Sequence, residues 1–398
     1  MTYQPTTLQK LEGQADEIEA IARQRGGLCV SMYLPVRKSA PESEQNPLRL
    51  RELLETAHQK LEAYGMSPEN ARDVLQPVAS LVDSPEELLI SGEALAFLID
   101  KESARRIELP YSTAPGCRVS NQFAIKPLLP LLQWNPGYTA VCINRGEIRV
   151  FRGNRVAIEA VEVPDMPKKL EDITGIDDPE KSLQHHTAKT VSAEGAPGSA
   201  PVPQMHGHGL PSDMEDMQFD RFFRSVSKAL HSYLSGREDS LILFGVEENV
   251  GLFQSMNEWK ERTVLSKKED PHQWDAPRIK EEALKLLKPL ADAKMESYLD
   301  RLNEARNKGN GLFKLGQCAL AAATGRIELA AVDEDREVDG ICGLDTMKVD
   351  IFTEGDAPCT HDLYDFIASE TIRHGGEVCV LDALVIPGEG GVAATVRF

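Results

Sequence analysis

The segment GLFKLGQCALAAATGRIELAAV, residues 311–332, decides the fold of the last part of the chain. Leu312–Thr324 is rich in small and apolar residues and predicts a helix. Gly325 follows where glycine commonly ends a helix, because it accepts a left-handed backbone. Arg326–Val332 then reads as a strand. A helix that leads directly into an apolar strand indicates an α/β domain.

The residues around this segment extend the same pattern over 276–398. A long helix over about 277–307 precedes it, and an acidic, turn-rich stretch, Asp333–Asp345, follows it. A helix over His361–His374 ends at two glycines. The remaining strands are predicted at Lys348–Phe352, Glu377–Leu381 and Val392–Phe398. We therefore predict a compact C-terminal α/β domain over 276–398.

Residues 135–275 begin with a predicted meander and continue with a long polar loop at 187–212. The loop ends at a helix start in which Ser212 caps and Glu215 returns the bond. That helix is expected to run to about residue 235. The meander strands are predicted at Tyr138–Ile143, Glu147–Arg152 and Val156–Val163, and a further strand at Ser240–Val246. This is the predicted middle domain.

Residues 1–134 predict a third domain of mixed α and β type. A helical stripe from Leu8 to Ala22 precedes a strand at Leu28–Leu34. Helices over about 46–64 and 68–82 and strands at Ala94–Asp100 and Arg105–Leu109 follow. The whole chain is thus predicted to be an α/β (α+β) multidomain protein, as expected when a single core stops growing at about 250–300 residues.

Composition limits the function classes. The 398 residues carry a net charge of −19, and none of the three regions is basic, so a general affinity for DNA or other nucleic acid is not expected. No apolar run approaches the ~18–20 residues of a membrane span, so no membrane partner is predicted. The N-terminus lacks a signal-peptide pattern, which predicts a cytoplasmic protein. Seven scattered cysteines fit buried, reduced thiols.

Four histidines, His185, His186, His206 and His208, fall within or beside the long loop and could hold zinc. Their pairs lie about twenty residues apart without a fixed spacing or a cysteine, so a solvated loop is the better interpretation. No serine or cysteine nucleophile motif accompanies them. The sequence therefore predicts neither a metal site nor a cofactor.

Two groups of basic residues could contact phosphates. The first is the meander arginines, which are Arg145, Arg149, Arg152 and Arg155. The second is Arg221, Arg224 and Lys228, whose spacing puts them on one face of the helix after the loop. The alternative is that both groups are solvated faces with local salt bridges to Asp220 or Glu159.

A family resemblance favours the first interpretation. The segment 311–332, together with 367–378 and 390–398, resembles the last domain of the archaeo-eukaryotic peptide-chain release factors and Pelota. The chain as a whole is similar to the bacterial archaeo-eukaryotic release factor-like proteins. This resemblance implies a ribonuclease H-like middle domain without that nuclease's metal site. It also implies a C-terminal three-layer α/β/α domain of the kink-turn-binding ribosomal protein type.

The resemblance also gives the long loop a role. Release factors carry a Gly-Gly-Gln tip on a loop just before a helix of the middle domain, and this tip enters the peptidyl-transferase centre. Here that place holds His206 and the hypothetical tip residues Gly207, His208 and Gly209. His208 stands where the glutamine is expected, and its imidazole differs from an amide in reach and shape.

The implied function is a ribosome-associated factor that acts in the A site in rescue, dormancy or stress. Its implied partners are ribosomal RNA and, by extension, tRNA, with a translational GTPase as a further candidate. The alternatives are a peptidyl-tRNA hydrolase that uses the loop tip, and an RNA- or protein-binding module that keeps only the fold.

Overall fold

The computed structural model describes most of the chain and falls into two compact units. Unit 1 contains residues 1–136, 154–157 and 287–398, and unit 2 contains residues 137–153 and 158–286. The structure describes residues 6–8, 14–39, 41–144, 147–174, 211–256, 259, 262–352, 361–388 and 390–397. For residues 6–8, 14–16, 174 and 211–216 it describes the backbone only.

The first part of unit 1 is a five-stranded sheet in the order β1-β4-β3-β2-β5. Its elements are β1 (Thr6–Leu8), α1 (Gln14–Arg23), β2 (Cys29–Pro35), α2 (Asn46–Ala63), α3 (Pro68–Ala79), β3 (Ala94–Ile99), β4 (Ala104–Leu109), β5 (Gly116–Ser120) and α4 (Leu129–Gln133). Alternate residues of β2 face opposite sides, as the two-residue period of a strand requires. Val30, Met32 and Leu34 join the core formed with α2 and α3, whereas Cys29 and Tyr33 face a second core.

Unit 2 is built on a sheet in the order β10-β9-β6-β7-β8. Its elements are β6 (Tyr138–Ile143), β7 (Ile148–Gly153), β8 (Ile158–Ala160), α5 (Glu171–Thr174), α6 (Pro211–Leu234), β9 (Ser240–Gly245), α7 (Glu247–Gln254), β10 (Val264–Lys268) and the start of α8 (Ala276–Lys308). β6, β9 and β10 are parallel, and β7 is antiparallel to both of its neighbours. If β6 to β10 are renumbered 1 to 5, the order across the sheet, read from β8 to β10, is 3-2-1-4-5. This is the order of a ribonuclease H-like fold, which the resemblance implied.

The last part of unit 1 has three layers. Its elements after α8 are β11 (Gly311–Leu312), α9 (Leu315–Ala323), β12 (Ile327–Asp333), β13 (Asp339–Gly343), β14 (Lys348–Ile351), β15 (His361–Asp362), α10 (Leu363–Arg373), β16 (Glu377–Leu381) and β17 (Val392–Val396). Ala330 and Val332 of β12 share a core with α9 and α10, while Leu329 and Ala331 pack with Tyr298 and Leu302 of α8. The sheet β11-β17-β12-β16 therefore lies between helices on both faces, as predicted.

The first and last parts of unit 1 share one hydrophobic core. Ile18 and Ile21 of α1 and Leu131 of α4 belong to the same buried cluster as Ile367 and Val380. The sequence predicts 1–134 and 276–398 as separate domains, and these boundaries stay predictions. Burial of this kind contributes roughly 25 cal/mol per Å² of apolar area, so the shared core is a main source of stability for unit 1.

The mixed α/β fold class is confirmed, and the local differences have simple causes. α9 begins at Leu315 rather than Leu312, because Gly311 and Leu312 pair with Thr395 and Ala394 as a short strand. Gly325 ends α9 as predicted. It has φ +70°, its N–H reaches Ala322, and the N–H of Arg326 reaches Ala321, which together form a Schellman cap.

Two further differences concern turn-rich sequence. β13 lies inside the acidic stretch Asp333–Asp345, where the sequence suggested only turns, and it pairs with β14 and β15. β8 covers Ile158–Ala160 and is shorter than the predicted strand at Val156–Val163. Four of the described cysteines, Cys29, Cys142, Cys318 and Cys379, are buried thiols, as expected.

Candidate nucleic-acid interface

α6 follows directly after the long loop in the sequence, and one face of it is anchored in unit 2. Its buried residues Phe222, Phe223, Val226 and Leu230 pack with Val141 and Leu243 of the sheet, among others. Phe223 meets Phe253 of α7 edge-on, with ring centroids 6.4 Å apart. The helix begins at Pro211, one residue before the predicted cap at Ser212, a difference of the size that helix ends commonly show. This packing fixes which face of α6 points away from the core.

The outward face of α6 carries the predicted basic residues, which we call the α6 basic face: Arg221, Arg224 and Lys228. All three are exposed. Arg224 donates from Nε to Asp220 at 2.7 Å, and both side chains of this pair remain largely in solvent. An exposed pair four residues apart contributes about 0.3–0.5 kcal/mol, so it holds Arg224 only loosely. The sequence therefore predicted this face correctly as a surface feature.

Arg152 of the meander has a different environment. Its Nε donates to Oδ2 of Asp239 at 2.8 Å, and the two side chains are only 14% and 7% exposed. The hydroxyl of Thr139 also reaches Oδ2 of Asp239, at 3.3 Å. Removing one partner of such a buried pair costs about 3–5 kcal/mol, because the other charge is left without compensation. Arg152 is therefore part of the structural framework of unit 2.

Arg149 and Arg155 also make internal contacts, each within its own unit. In unit 2, Arg149 donates to the backbone carbonyls of Trp274 and Pro271, at 3.1 and 2.6 Å. In unit 1, Arg155 donates to the carbonyls of Pro130 and Trp134, and its guanidinium lies 5.4 Å from the ring centroid of Tyr111. Burial lowers the pKa of Arg155 from its ordinary value. The structure thus gives three of the four meander arginines intramolecular hydrogen bonds, whereas Arg145 lies outside the described residues.

The predicted loop tip, Gly207, His208 and Gly209, lies outside the described residues, as do His185, His186 and His206. The structure does place α6 directly after it in the chain. Across the part of the chain that the structure describes, no three His, Cys, Asp or Glu side chains are grouped so as to hold a metal ion. In that same part, every helix is too short or too polar to cross a membrane.

Sequence reasoning missed a buried charged network in unit 1. Oδ1 of Asp365 accepts hydrogen bonds from the backbone N–H groups of Ile125 and Lys126, both at 2.6 Å. Nζ of Lys126 lies 3.2 Å from Oδ2 of Asp362. Burial and the neighbouring Asp362 raise the pKa of Asp365 to about 7. No local signal could reveal this network, because its partners lie more than two hundred residues apart in the chain.

This network borders a cavity of about 580 Å³ in unit 1. Arg118 lies at its wall and pairs with Asp339 at 2.7 Å and Glu337 at 3.0 Å. Burial and the neighbouring carboxylates Asp335 and Asp333 raise the pKa of Glu334, another wall residue. Asp333 itself accepts the backbone N–H groups of Asp335 and Arg336, as in an Asx turn. The acidic stretch that was predicted to be turn-rich therefore begins with a local turn at Asp333–Arg336.

Comparison with known proteins bears mainly on unit 2. Residues 137–326 match the model of a family described as bacterial archaeo-eukaryotic release factor family 3. The match covers just under half of the chain and includes the long loop, α6 and the start of the C-terminal α/β layers. No curated protein sequence matches the chain.

Several solved structures are similar to the chain at low identity. They include the archaeal translation termination factor aRF1 (14% identity, 98% of this chain and 99% of that chain, TM-score 0.23). Pelota of Archaeoglobus fulgidus matches at 15% identity over 76% and 79%, with a TM-score of 0.32. Dom34 of S. cerevisiae, described as a translation termination-like factor, matches at 10% identity over 74% and 73%, with a TM-score of 0.34.

The family model covers the ribonuclease H-like sheet, the loop with the predicted tip and the helix after it. The resemblance to release factors was based on residues 311–332, 367–378 and 390–398, of which the family model covers 311–326. Over residues 137–326, the chain is therefore similar to the bacterial archaeo-eukaryotic release factors of family 3.

Proposed function

We propose that the protein is a ribosome-associated translation factor of the release-factor and Pelota type that acts in the A site. The observation that carries this proposal is the family match over residues 137–326, because that segment contains both the loop at 187–212 and α6. Rescue, dormancy or stress are the conditions in which such a factor would act. The fold alone would not be enough, since one fold supports many functions.

The α6 basic face supplies the phosphate contacts in this proposal. Arg221, Arg224 and Lys228 lie on the exposed side of a helix whose other side is firmly packed, so RNA can reach this face without a rearrangement of the backbone. The chain carries a net charge of −19, so such contacts must be local and strongly salt-dependent. Arg149, Arg152 and Arg155 instead bond to Trp274 and Pro271, to Asp239, and to Pro130 and Trp134, and Arg145 remains a candidate contact.

Sedimentation of cell lysates tests this proposal. We expect the protein to migrate with ribosomal particles in a gradient at low salt, in growing or in starved cells, and to leave them as salt is raised. A protein that stays at the top of the gradient in both growth states at every salt concentration would contradict the proposal.

A second candidate function is hydrolysis of peptidyl-tRNA by the loop tip. It is favoured by the position of Gly207, His208 and Gly209 directly before α6, where release factors carry their Gly-Gly-Gln tip. Glycine gives a crowded site a small and conformationally free backbone, and an imidazole can orient water or donate to a developing oxyanion. Release of labelled peptide from ribosome-bound peptidyl-tRNA should fall when His208→Ala or Gly207→Ala is introduced. Equal rates in the two variants and the wild type would remove this candidate.

A translational GTPase is the further partner that the release-factor resemblance brings to the proposal. The test is capture of purified candidate GTPases in the GTP-bound state by the full-length protein, with and without ribosomes.

A rival proposal keeps the fold but replaces the ribosome by another RNA or a protein. It predicts normal folding and no comigration with ribosomes under any growth condition.

A further inference from the structure

A group of cationic side chains in unit 1 lies far in sequence from α6. We call it the α10-end cluster, and it consists of Arg25, Arg373, His374 and Arg397. Arg25 lies in the loop after α1, Arg373 is the last residue of α10, His374 follows it, and Arg397 comes after β17. Three separate segments of the chain therefore bring positive charge to one place.

One buried carboxylate is shared among these cations. Glu370 is 1% exposed and pairs with both Arg25 and Arg373. Nε2 of His374 lies 3.6 Å from Oε2 of the same carboxylate. Nη2 of Arg397 donates to the backbone carbonyl of His374 at 2.9 Å. Two guanidinium groups thus pair with a single carboxylate, and a third is bonded to the neighbouring His374, so among the described residues of this site positive charge exceeds negative charge before His374 is considered.

Other carboxylates close to this helix end already have partners of their own. Glu19 and Glu377 line a small groove together with Gly375 and Gly376. Glu19 pairs with Arg23 at 2.9 Å, and Glu377 pairs with Arg301 at 2.6 Å. They therefore do not neutralise the excess of the α10-end cluster, and this excess stands out in a chain of net charge −19.

The cations of the cluster destabilise one another. Burial and the nearby Arg373 lower the pKa of Arg25. Burial and the three arginines of the cluster lower the pKa of His374. The negative end of the α10 dipole explains part of the preference for Arg373 and His374 at this position. It does not explain Arg25, which comes from another segment and is 37% exposed.

We propose that the α10-end cluster binds a phosphate group of an RNA backbone. Guanidinium groups suit phosphate because their planar fork donates two parallel hydrogen bonds, and they remain charged even when partly desolvated. Arg25, Arg373 and His374 keep about a third of their side-chain surface open to solvent, so a phosphate can reach them. A free phosphate ion has the same chemistry, so binding of RNA and binding of inorganic phosphate are measured separately. The site rests on unit 1 alone and does not depend on ribosome association.

The test uses the full-length protein and two variants in which arginine is replaced by glutamine. The double variant Arg25→Gln/Arg397→Gln removes two cations but leaves Arg373 to compensate the buried Glu370. The control Arg23→Gln changes the same segment two residues earlier and removes an arginine that has its own carboxylate, Glu19. Equal melting temperatures of all three proteins verify that folding is retained. The α6 basic face stays intact in each, so failure of the ribosome proposal does not affect the result.

Binding of RNA is measured by the fluorescence anisotropy of a labelled single-stranded RNA over a series of salt concentrations. Binding of inorganic phosphate is measured separately, by titrating each protein with phosphate. We expect the double variant to bind RNA about tenfold more weakly at low salt, and its log–log salt slope to be shallower by roughly 0.7, the value for one lost phosphate contact on a single strand. The control should match the wild type. If the double substitution abolishes binding of inorganic phosphate but leaves RNA binding unchanged, the site takes free phosphate, and the assignment to RNA is wrong. Wild-type and double-variant proteins that behave alike with both probes, or that bind neither, overturn the proposal.

Discussion

The meander of unit 2 and helix α6 carry basic residues that look alike in the sequence but differ in their environments. Arg152 faces Asp239 with little solvent around the pair, whereas Arg221 and Lys228 are exposed on a helix surface. The difference comes from the two secondary structures. A strand inside a sheet places side chains next to other elements, while an amphipathic helix has one face left for solvent. Positive charge is therefore a good guide to binding only where packing leaves it exposed.

The largest expected effect is on stability, from Arg152→Gln. Loss of the guanidinium leaves Asp239 buried without its charge partner, and we expect the free energy of unfolding to fall by about 3–5 kcal/mol. Denaturant unfolding measures it. Arg221→Gln removes the same charge from α6 and should change stability by no more than about 0.5 kcal/mol. If both variants lose the same free energy of unfolding, Arg152 matters no more for stability than the exposed Arg221.

In unit 1, the buried carboxyl group of Asp365 makes the stability of the fold depend on pH, whereas an exposed carboxylate should not. The folded-state pKa of Asp365 is raised to about 7, so the fold favours its protonated form. Its contribution to stability is complete below about pH 4, where the unfolded chain is also protonated, and is lost as pH rises through 7. At about 1.4 kcal/mol per unit, we expect the wild type to lose about 4 kcal/mol more than Asp365→Asn between pH 4 and pH 8.

The measurement is chemical unfolding of both proteins at several pH values. Asp345→Asn, at an exposed position in the β13–β14 turn, is the control and should follow the wild type. Stability curves of the wild type and Asp365→Asn that stay parallel over the whole range would show that Asp365 is charged throughout.

A smaller effect, on binding alone, is expected from the α6 basic face. The triple variant Arg221→Gln/Arg224→Gln/Lys228→Gln should bind purified ribosomes at least tenfold more weakly at low salt while its melting temperature changes little. Cosedimentation at several salt concentrations measures the affinity and its salt dependence. A triple variant with lower stability and unchanged binding would reverse the roles given to the two groups of residues.

The smallest effect concerns the exposed pair on α6. Asp220→Asn removes the partner of Arg224 and should lower stability by only about 0.3–0.5 kcal/mol. It also removes a negative charge beside that guanidinium, so RNA or ribosome binding should become slightly tighter. Weaker binding in Asp220→Asn would show that the Asp220–Arg224 pair itself makes the contact.

Sequence patterns predicted those helices, strands and caps whose signals lie within one short stretch of the chain. The glycine cap at Gly325, the apolar strands β6, β9 and β12 and the packed stripe of α6 all follow from spacing along a single element. β13 was missed because its strand pairing lies within a turn-rich acidic segment. The core shared by α1 and α10 was also missed, since it joins residues that lie hundreds of positions apart.

The candidate site was predictable to a similar extent. The i, i+3, i+7 spacing of Arg221, Arg224 and Lys228 places them on one helical face without knowledge of the fold. The partners of Arg149 and Arg155 are backbone carbonyls, which no sequence pattern marks. The α10-end cluster assembles from three segments and becomes visible only after folding.

We propose that the protein contacts the ribosome through the exposed face of α6. The most direct measurement is gradient sedimentation of lysates from cells that express the wild type, the α6 triple variant, or Arg23→Gln as an exposed arginine control in unit 1. We expect the wild type and the control to migrate with ribosomes and the triple variant to shift toward the top of the gradient. A triple variant that migrates with ribosomes as fully as the wild type would contradict it.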